Sequence, residues 1–244
     1  MKQILTLSLL ALLFISCVAE PKPNDVIIHP ISHGSLFIEY DQEMIYIDPV
    51  GNSEDFKGYK KPTVILITDI HGDHLNIETL ETITDSTVPL IIPKAVHKRL
   101  NEKVKGERIV LNNAETKTIN DMELKAIPMY NLRDEALQFH EKGRGNGYVI
   151  TIGNERIYIS GDTEDIPEMR NLKDIDKAFV CMNLPWTMTV ESAADAVLEF
   201  KPKEVYPYHY RGTEGLSDIE KFKSLVNAKD STIKVNLLNW YKGR

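Results

Sequence analysis

Thr63-Val64-Ile65-Leu66-Ile67-Thr68 runs without a break into Asp69-Ile70-His71-Gly72-Asp73-His74. The first six residues form a continuous β-branched and apolar run, as a strand buried on both faces requires. The next six hold two imidazoles and two carboxylates around one glycine, side chains that divalent transition metals take as ligands. Ligand sites in α/β structures favour the C-terminal ends of strands, so this stretch predicts a metal-binding strand end.

Two other strand ends carry the same chemistry. The strand-like run Arg156–Ser160 leads into Gly161-Asp162-Thr163, and the strand-like run Glu204–Pro207 leads into Tyr208-His209-Tyr210. A lone Asp after a strand usually caps a turn, and a lone His is usually structural. Three strand ends that all offer metal ligands, in a chain with only seven histidines, favour one convergent site.

Around these ends, short β-type and helical runs alternate. Ser35–Tyr40 and Glu43–Asp48 flank Asp41-Gln42 as a hairpin, and Gly153-Asn154 marks a second hairpin between Tyr148–Ile152 and Arg156–Ser160. Further strands are expected at Val88–Ile92, Met122–Ile127 and Ile233–Leu237. Helices are expected at Asn76–Thr84, Asp134–Phe139 and Thr189–Phe200, the last with an apolar stripe of Val190, Ala193, Ala194, Val197 and Leu198. Ser217 and Glu220 fit a capping box that opens a helix carrying Phe222, Leu225 and Val226. Hairpins followed by strand–helix alternation in both halves predict an α/β fold of two sheets stacked face to face, with helices outside.

The composition agrees with a globular chain. Of 244 residues, 42% are hydrophobic and 27% charged, which argues against disorder, collagen and a multi-span membrane protein. Lys and Arg number 29 against 36 Asp and Glu, a net charge of −7 that offers no general grip on nucleic acid. The N-terminus stands apart. Met1-Lys2 is followed by Ile4 to Ile15, apolar but for Thr6 and Ser8 and too short for a bilayer, which takes about 20 residues. Residues 1–16 therefore read as a signal peptide and 17–25 as a Pro-rich polar tether. Cleavage removes Lys2, leaving 28 basic against 36 acidic residues, or −8. Cys181, in an apolar strand-like run, reads as core. The Gly-rich segment Phe139–Gly147 offers His140, Arg144 and Asn146 as donors for a polar or anionic ligand.

Two resemblances sharpen this reading. Phe14-Ile15-Ser16-Cys17 resembles a bacterial lipobox, which implies a lipid on Cys17 and export to a bacterial membrane, facing the periplasm or the cell surface. From about Val26 to Leu237 the chain resembles the metallo-β-lactamase-fold superfamily of metal-dependent hydrolases, in its lactonase-like and phosphodiesterase-like branch. The superfamily motif His-x-His-x-Asp-His stands here as Asp69-Ile-His71-Gly-Asp73-His74; His33-Gly34-Ser35, Tyr46-Ile47-Asp48-Pro49, Ser160-Gly161-Asp162-Thr163 and Pro207-Tyr208-His209-Tyr210 match further segments. The resemblance implies a four-layer αββα sandwich of two mixed sheets, with residues 26–244 as the hydrolase domain.

It also implies a ligand set. Asp69, His71 and Asn131 would hold a first metal, Asn131 being aligned with a mid-chain histidine. Asp73, His74 and His209 would hold a second, with Asp162 bridging the two and His33 beside them. One or two divalent ions per chain are expected, zinc foremost. Manganese or iron is the alternative at the first site, because Asp69 and Asn131 make it oxygen-rich. Metal-activated water, oriented by Asp73 as the catalytic residue, would then attack an ester, lactone or phosphodiester bond of a small-molecule substrate. A non-catalytic metal-binding protein on the same fold is the alternative, and a β-lactamase a weaker one.

Overall fold

The computed structural model describes residues 25–241. The signal peptide, Cys17 and nearly all of the tether lie outside the described residues.

A first sheet contains β1 (Ile27–Ser32), β2 (Ser35–Tyr40), β3 (Glu43–Ile47), β4 (Val64–Leu66), β5 (Leu90–Ile92) and β6 (Arg108–Val110), side by side in chain order. Its first three strands are antiparallel and the rest parallel. The second sheet takes β7 (Thr116–Ile119), β8 (Met122–Met129), β9 (Gly145–Ile152), β10 (Glu155–Ile159), β11 (Lys177–Cys181), β12 (Glu204–Tyr208) and β15 (Lys234–Val235). Pairing there is antiparallel from β7 to β10 and parallel from β10 to β15. A ribbon of β13 (Arg211–Gly212) and β14 (Gly215–Leu216) stands apart.

The period of two sorts the side chains of the first sheet onto two faces. Leu36, Ile38, Ile45, Ile47, Val64 and Leu66 join the cluster shared with the second sheet. Their neighbours Phe37, Met44, Tyr46, Ile65 and Ile67 join a separate outer cluster, where Leu80 of α1 (Ile77–Ile83) and Val96 of α2 (Lys94–His97) cover them. Fully burying one such side chain contributes about 1.5–3 kcal/mol. The unbroken apolar run of β4 reflects these two buried faces. Helices α3 (Pro167–Arg170), α4 (Val190–Phe200) and α5 (Ile219–Lys229) pack with the second sheet, through Met169, Ala193, Ala196, Val197, Phe200, Phe222 and Val226. The four-layer αββα sandwich is thus observed.

Several boundaries differ from expectation. The α5 cap is Asp218, whose carboxylate accepts from Lys221 N at 2.8 Å. The expected cap, Ser217, turns its hydroxyl to Met182 O at 2.5 Å. Residues 134–139 form only a short 3-10 turn, Asp134–Ala136, and β15 is confined to Lys234–Val235. Among the described residues, no helix is long and apolar enough to cross a membrane.

Candidate metal centre

The chemistry-bearing residues gather where strands of both sheets end. Asp48 follows β3, Asp69 to His74 follow β4, Asp162 follows β10 and His209 follows β12. His33, Asp48 and His209 all adopt left-handed backbone conformations, with φ of 54°, 45° and 47°. Such conformations cost a non-glycine residue about 1–3 kcal/mol and concentrate at functional sites. Here each one breaks the strand alternation at the end facing the cluster.

Two groups of ligand atoms result: Asp73, His74, Asp162 and His209, and Asp69, His71 and His140. In the first group His74 Nε2 lies 3.1 Å from His209 Nε2 and 3.3 Å from Asp162 Oδ2. His209 Nε2 is 3.3 Å from Asp73 Oδ2 and 3.5 Å from Asp162 Oδ1. Metal–nitrogen bonds of roughly 2.0–2.1 Å place neighbouring ligands of one tetrahedral ion about 3.4 Å apart. The spacings are therefore those of side chains already arranged around a single ion. Asp162 also reaches the second group, with Oδ2 3.4 Å from His140 Nε2. There, His71 Nδ1 is 2.9 Å and His140 Nε2 4.0 Å from Asp69 Oδ2.

Orphaned atoms make the same case for a cation. His140 Nε2 and Asp162 Oδ1 are buried without a hydrogen-bond partner, an arrangement that costs free energy unless something charged lies between them. Neighbours also fix the ring orientations. His74 Nδ1 sits 2.7 Å from Asp48 Oδ2, and Asp48 in turn accepts from Thr68 N at 2.7 Å and from Thr68 Oγ1 at 2.5 Å. His140 Nδ1 donates to Trp186 O at 3.1 Å. Both rings thus keep Nε2 free to bind a metal. Asp48→Asn keeps the shape and removes the charge behind His74. It should weaken metal binding at the first group about 10–100-fold, read by competition with a chromogenic chelator.

The electrostatics follow. Burial lowers the His74 pKa, but Asp162 and Asp48 outweigh it and raise it well above the ordinary value. Burial raises the Asp162 carboxyl, and His209 and His74 pull it well below the carboxylate range. Burial likewise opposes ionisation of Asp69, but hydrogen bonds from His71 and Arg144 hold it at about 2. Burial lowers the His33 pKa, so this ring is neutral at pH 7.

Two glycines let the backbone come this close. Gly161 has φ of +62°, and a Cβ there would lie 2.6 Å from Met129 Sδ. A Cβ on Gly34 would lie 2.8 Å from His209 Cδ2 and 3.3 Å from His74 Cε1. Sequence patterning names both glycines only as parts of motifs.

The other expected site residues each meet particular neighbours. Asn131, the expected first-metal ligand, is buried, and its Oδ1 has no hydrogen-bond partner. Its Nδ2 donates to Ala136 O at 2.9 Å and Trp186 O at 2.6 Å, so the amide holds a loop together. His140, expected to touch substrate, falls within the second group of ligand atoms. Arg144 is not free for a ligand. Its Nε and Nη2 clamp Asp69 Oδ1 and Oδ2 at 3.0 and 2.8 Å, and Nη2 also donates to Phe139 O. Asn146 faces the protein interior, donating to Leu111 O at 2.7 Å and accepting from Asn113 Nδ2 at 2.7 Å. His33 does line the cavity, with Nε2 3.3 Å from Asp73 Oδ2 and Nδ1 2.8 Å from Tyr241 Oη. Cys181 is fully buried and its thiol is pushed up to about 12 by that burial, which fits a core residue.

The centre opens into a cavity of about 350 Å³ lined by His33, His71, Asp73, Phe139, His140, Asp162, Asn183, Trp186, Arg211 and Gly212.

Residues 45–210, which hold all seven grouped side chains, match the model of the β-lactamase superfamily domain. The chain belongs to the metallo-β-lactamase-fold superfamily of metal-dependent hydrolases. It is 30% identical over 215 residues to a UPF0173 metal-dependent hydrolase of Pyrococcus furiosus, covering 83% of this chain and 93% of that one. A crystal structure from Parabacteroides distasonis, of a protein provisionally described as a metal-dependent hydrolase, is 42% identical with a TM-score of 0.77, covering 87% of this chain and 92% of that one. The metallo-hydrolase Igni18 of Ignicoccus hospitalis shares the fold at 22% identity and a TM-score of 0.73, covering 88% of this chain and 95% of that one. Within the superfamily motif, Asp69 stands where the first histidine is expected, and its clamp by Arg144 distinguishes the second group from the first.

Proposed function

We propose that this protein is a hydrolase that uses two divalent ions to cleave an ester, lactone or phosphodiester bond in a small molecule. What carries the reading is Asp162: a fully buried carboxylate within 3.3–3.5 Å of one nitrogen each on His74, His140 and His209, at the floor of an open cavity. Cations bound there would supply Lewis acidity, lowering the pKa of water toward 7 and stabilising negative charge that develops on the scissile group.

The chain's own residues do the rest. Burial raises the Asp73 carboxyl, but hydrogen bonds from His209 and His33 hold it far below the usual carboxylate range. It therefore stays ionised and acts as an acceptor that orients a water, being too weakly basic to carry the proton away. His33 keeps Asp73 in place while anchored on Tyr241. Asp48 and Trp186 O hold the rings of His74 and His140. Because Arg144 already engages both oxygens of Asp69, the second group attracts a cation less strongly than the first.

The test is turnover of bis-4-nitrophenyl phosphate, simple lactones and aryl esters by metal-loaded protein, with nitrocefin alongside. Hydrolysis of at least one of the first three, abolished by a chelator and restored by zinc or manganese, is expected. No turnover across the panel would favour a metal-binding protein without catalysis, and rapid nitrocefin cleavage a β-lactamase.

A further inference from the structure

The structure assigns Arg211 as the recognition residue for an anionic group on the substrate, a carboxylate or a phosphate set apart from the bond that is cut. This inference rests on the hydrolase reading above and names the substrate class that reading leaves open. Arg211 begins the ribbon that follows His209 and Tyr210, so its position is tied to a ligand strand end. Among the described residues lining the cavity at the centre, it is the one Arg or Lys. It also lines an adjoining cavity with His33 and Asp73.

Its partners set it apart from the other cation of the site. Arg144 is spent on Asp69, whereas among the described residues Arg211 makes no ion pair with a carboxylate. The guanidinium lies over the Tyr241 ring at 4.1 Å from its centroid. A guanidinium held over a ring face can keep its N–H groups available, and these match a carboxylate or phosphate with two parallel hydrogen bonds. The ring beneath is itself fixed, because Tyr241 Oη meets His33 Nδ1 at 2.8 Å. The donor is therefore held at the cavity wall before any ligand arrives, which reduces the ordering cost of binding. A half-buried cation, beside a centre whose own carboxylates would be occupied by metal, leaves a negative ligand group as its natural partner.

The experiment uses metal-loaded protein and two anions that do not turn over, succinate and phenylphosphonate, with binding measured calorimetrically on wild type, Arg211→Gln and Arg211→Lys. The wild type is expected to bind at least one of them, and Arg211→Gln to weaken that binding about tenfold or more while keeping its metal content and thermal stability. Arg211→Lys should recover part of the loss, since it keeps the charge without the fork. The anion that loses more on Arg211→Gln tells carboxylate from phosphate. Equal affinities in wild type and Arg211→Gln, or no binding of either anion to the wild type, would overturn the assignment. Because binding is read without turnover, a failed substrate panel leaves this outcome legible on its own.

Discussion

Asp162→Ala should reduce turnover of any substrate the protein accepts by about a thousandfold or more. Bound metal should fall from two ions per chain to at most one loosely held ion. The reason is geometric. Among the described residues, Asp162 is the one carboxylate paired with histidines of both groups, at 3.3 Å from His74, 3.5 Å from His209 and 3.4 Å from His140. Alanine removes the carboxylate that joins His74, His209 and His140, leaving Asp73 alone to balance a cation at the first group and Asp69, clamped by Arg144, at the second. Metal content by elemental analysis and turnover on the same preparation read the two effects together. Asp162→Ala that keeps both metals and its rate would remove Asp162 from the centre.

His140→Ala and Asn131→Ala separate the two candidates for the remaining ligand of the second group. His140→Ala should lose the ion held there and with it about a hundredfold or more in turnover, while the Asp73, His74 and His209 ion stays. Asn131→Ala should keep both ions. Its cost is in folding, because the Nδ2 bonds to Ala136 O and Trp186 O are lost, a change of about 1–3 kcal/mol seen as a melting temperature lowered by several degrees. The opposite pattern, metal lost from Asn131→Ala and retained by His140→Ala, would make Asn131 the ligand.

The pair also shows where sequence reasoning reached and where it stopped. Strand β4 and its ligand-bearing end were legible because an apolar run and a dense ligand cluster are local features. The β2–β3 and β9–β10 hairpins were legible because Asp41-Gln42 and Gly153-Asn154 sit between alternating runs. Asn131 was legible as a candidate because it stands just past β8, where the resemblance expects a mid-chain ligand. The loop after it folds back so that Asn131 N donates to His140 O at 3.0 Å, bringing a residue nine positions later to the same spot. Loop closure of that kind leaves no periodic trace in sequence. His140 and Arg144 were visible as polar residues in a Gly-rich segment. Their roles depend on which neighbours they meet, Trp186 O for one and Asp69 for the other. Asp48 was visible only as part of a motif, since nothing local shows that its carboxylate meets His74 across 26 residues. The α5 cap slipped by one position because Ser217 and Asp218 are both good caps, and only the nearby Met182 carbonyl decides between them.

The central claim is a pair of cation sites that share Asp162. Anomalous diffraction from crystals grown with zinc or manganese tests it most directly. Two peaks are expected, one at about 2.0–2.2 Å from ligand atoms of Asp73, His74, Asp162 and His209, and a second, weaker one at the same distance from His140 and Asp162. Absence of any peak at Asp162, or a peak coordinated by Asn131 in place of His140, would contradict the account.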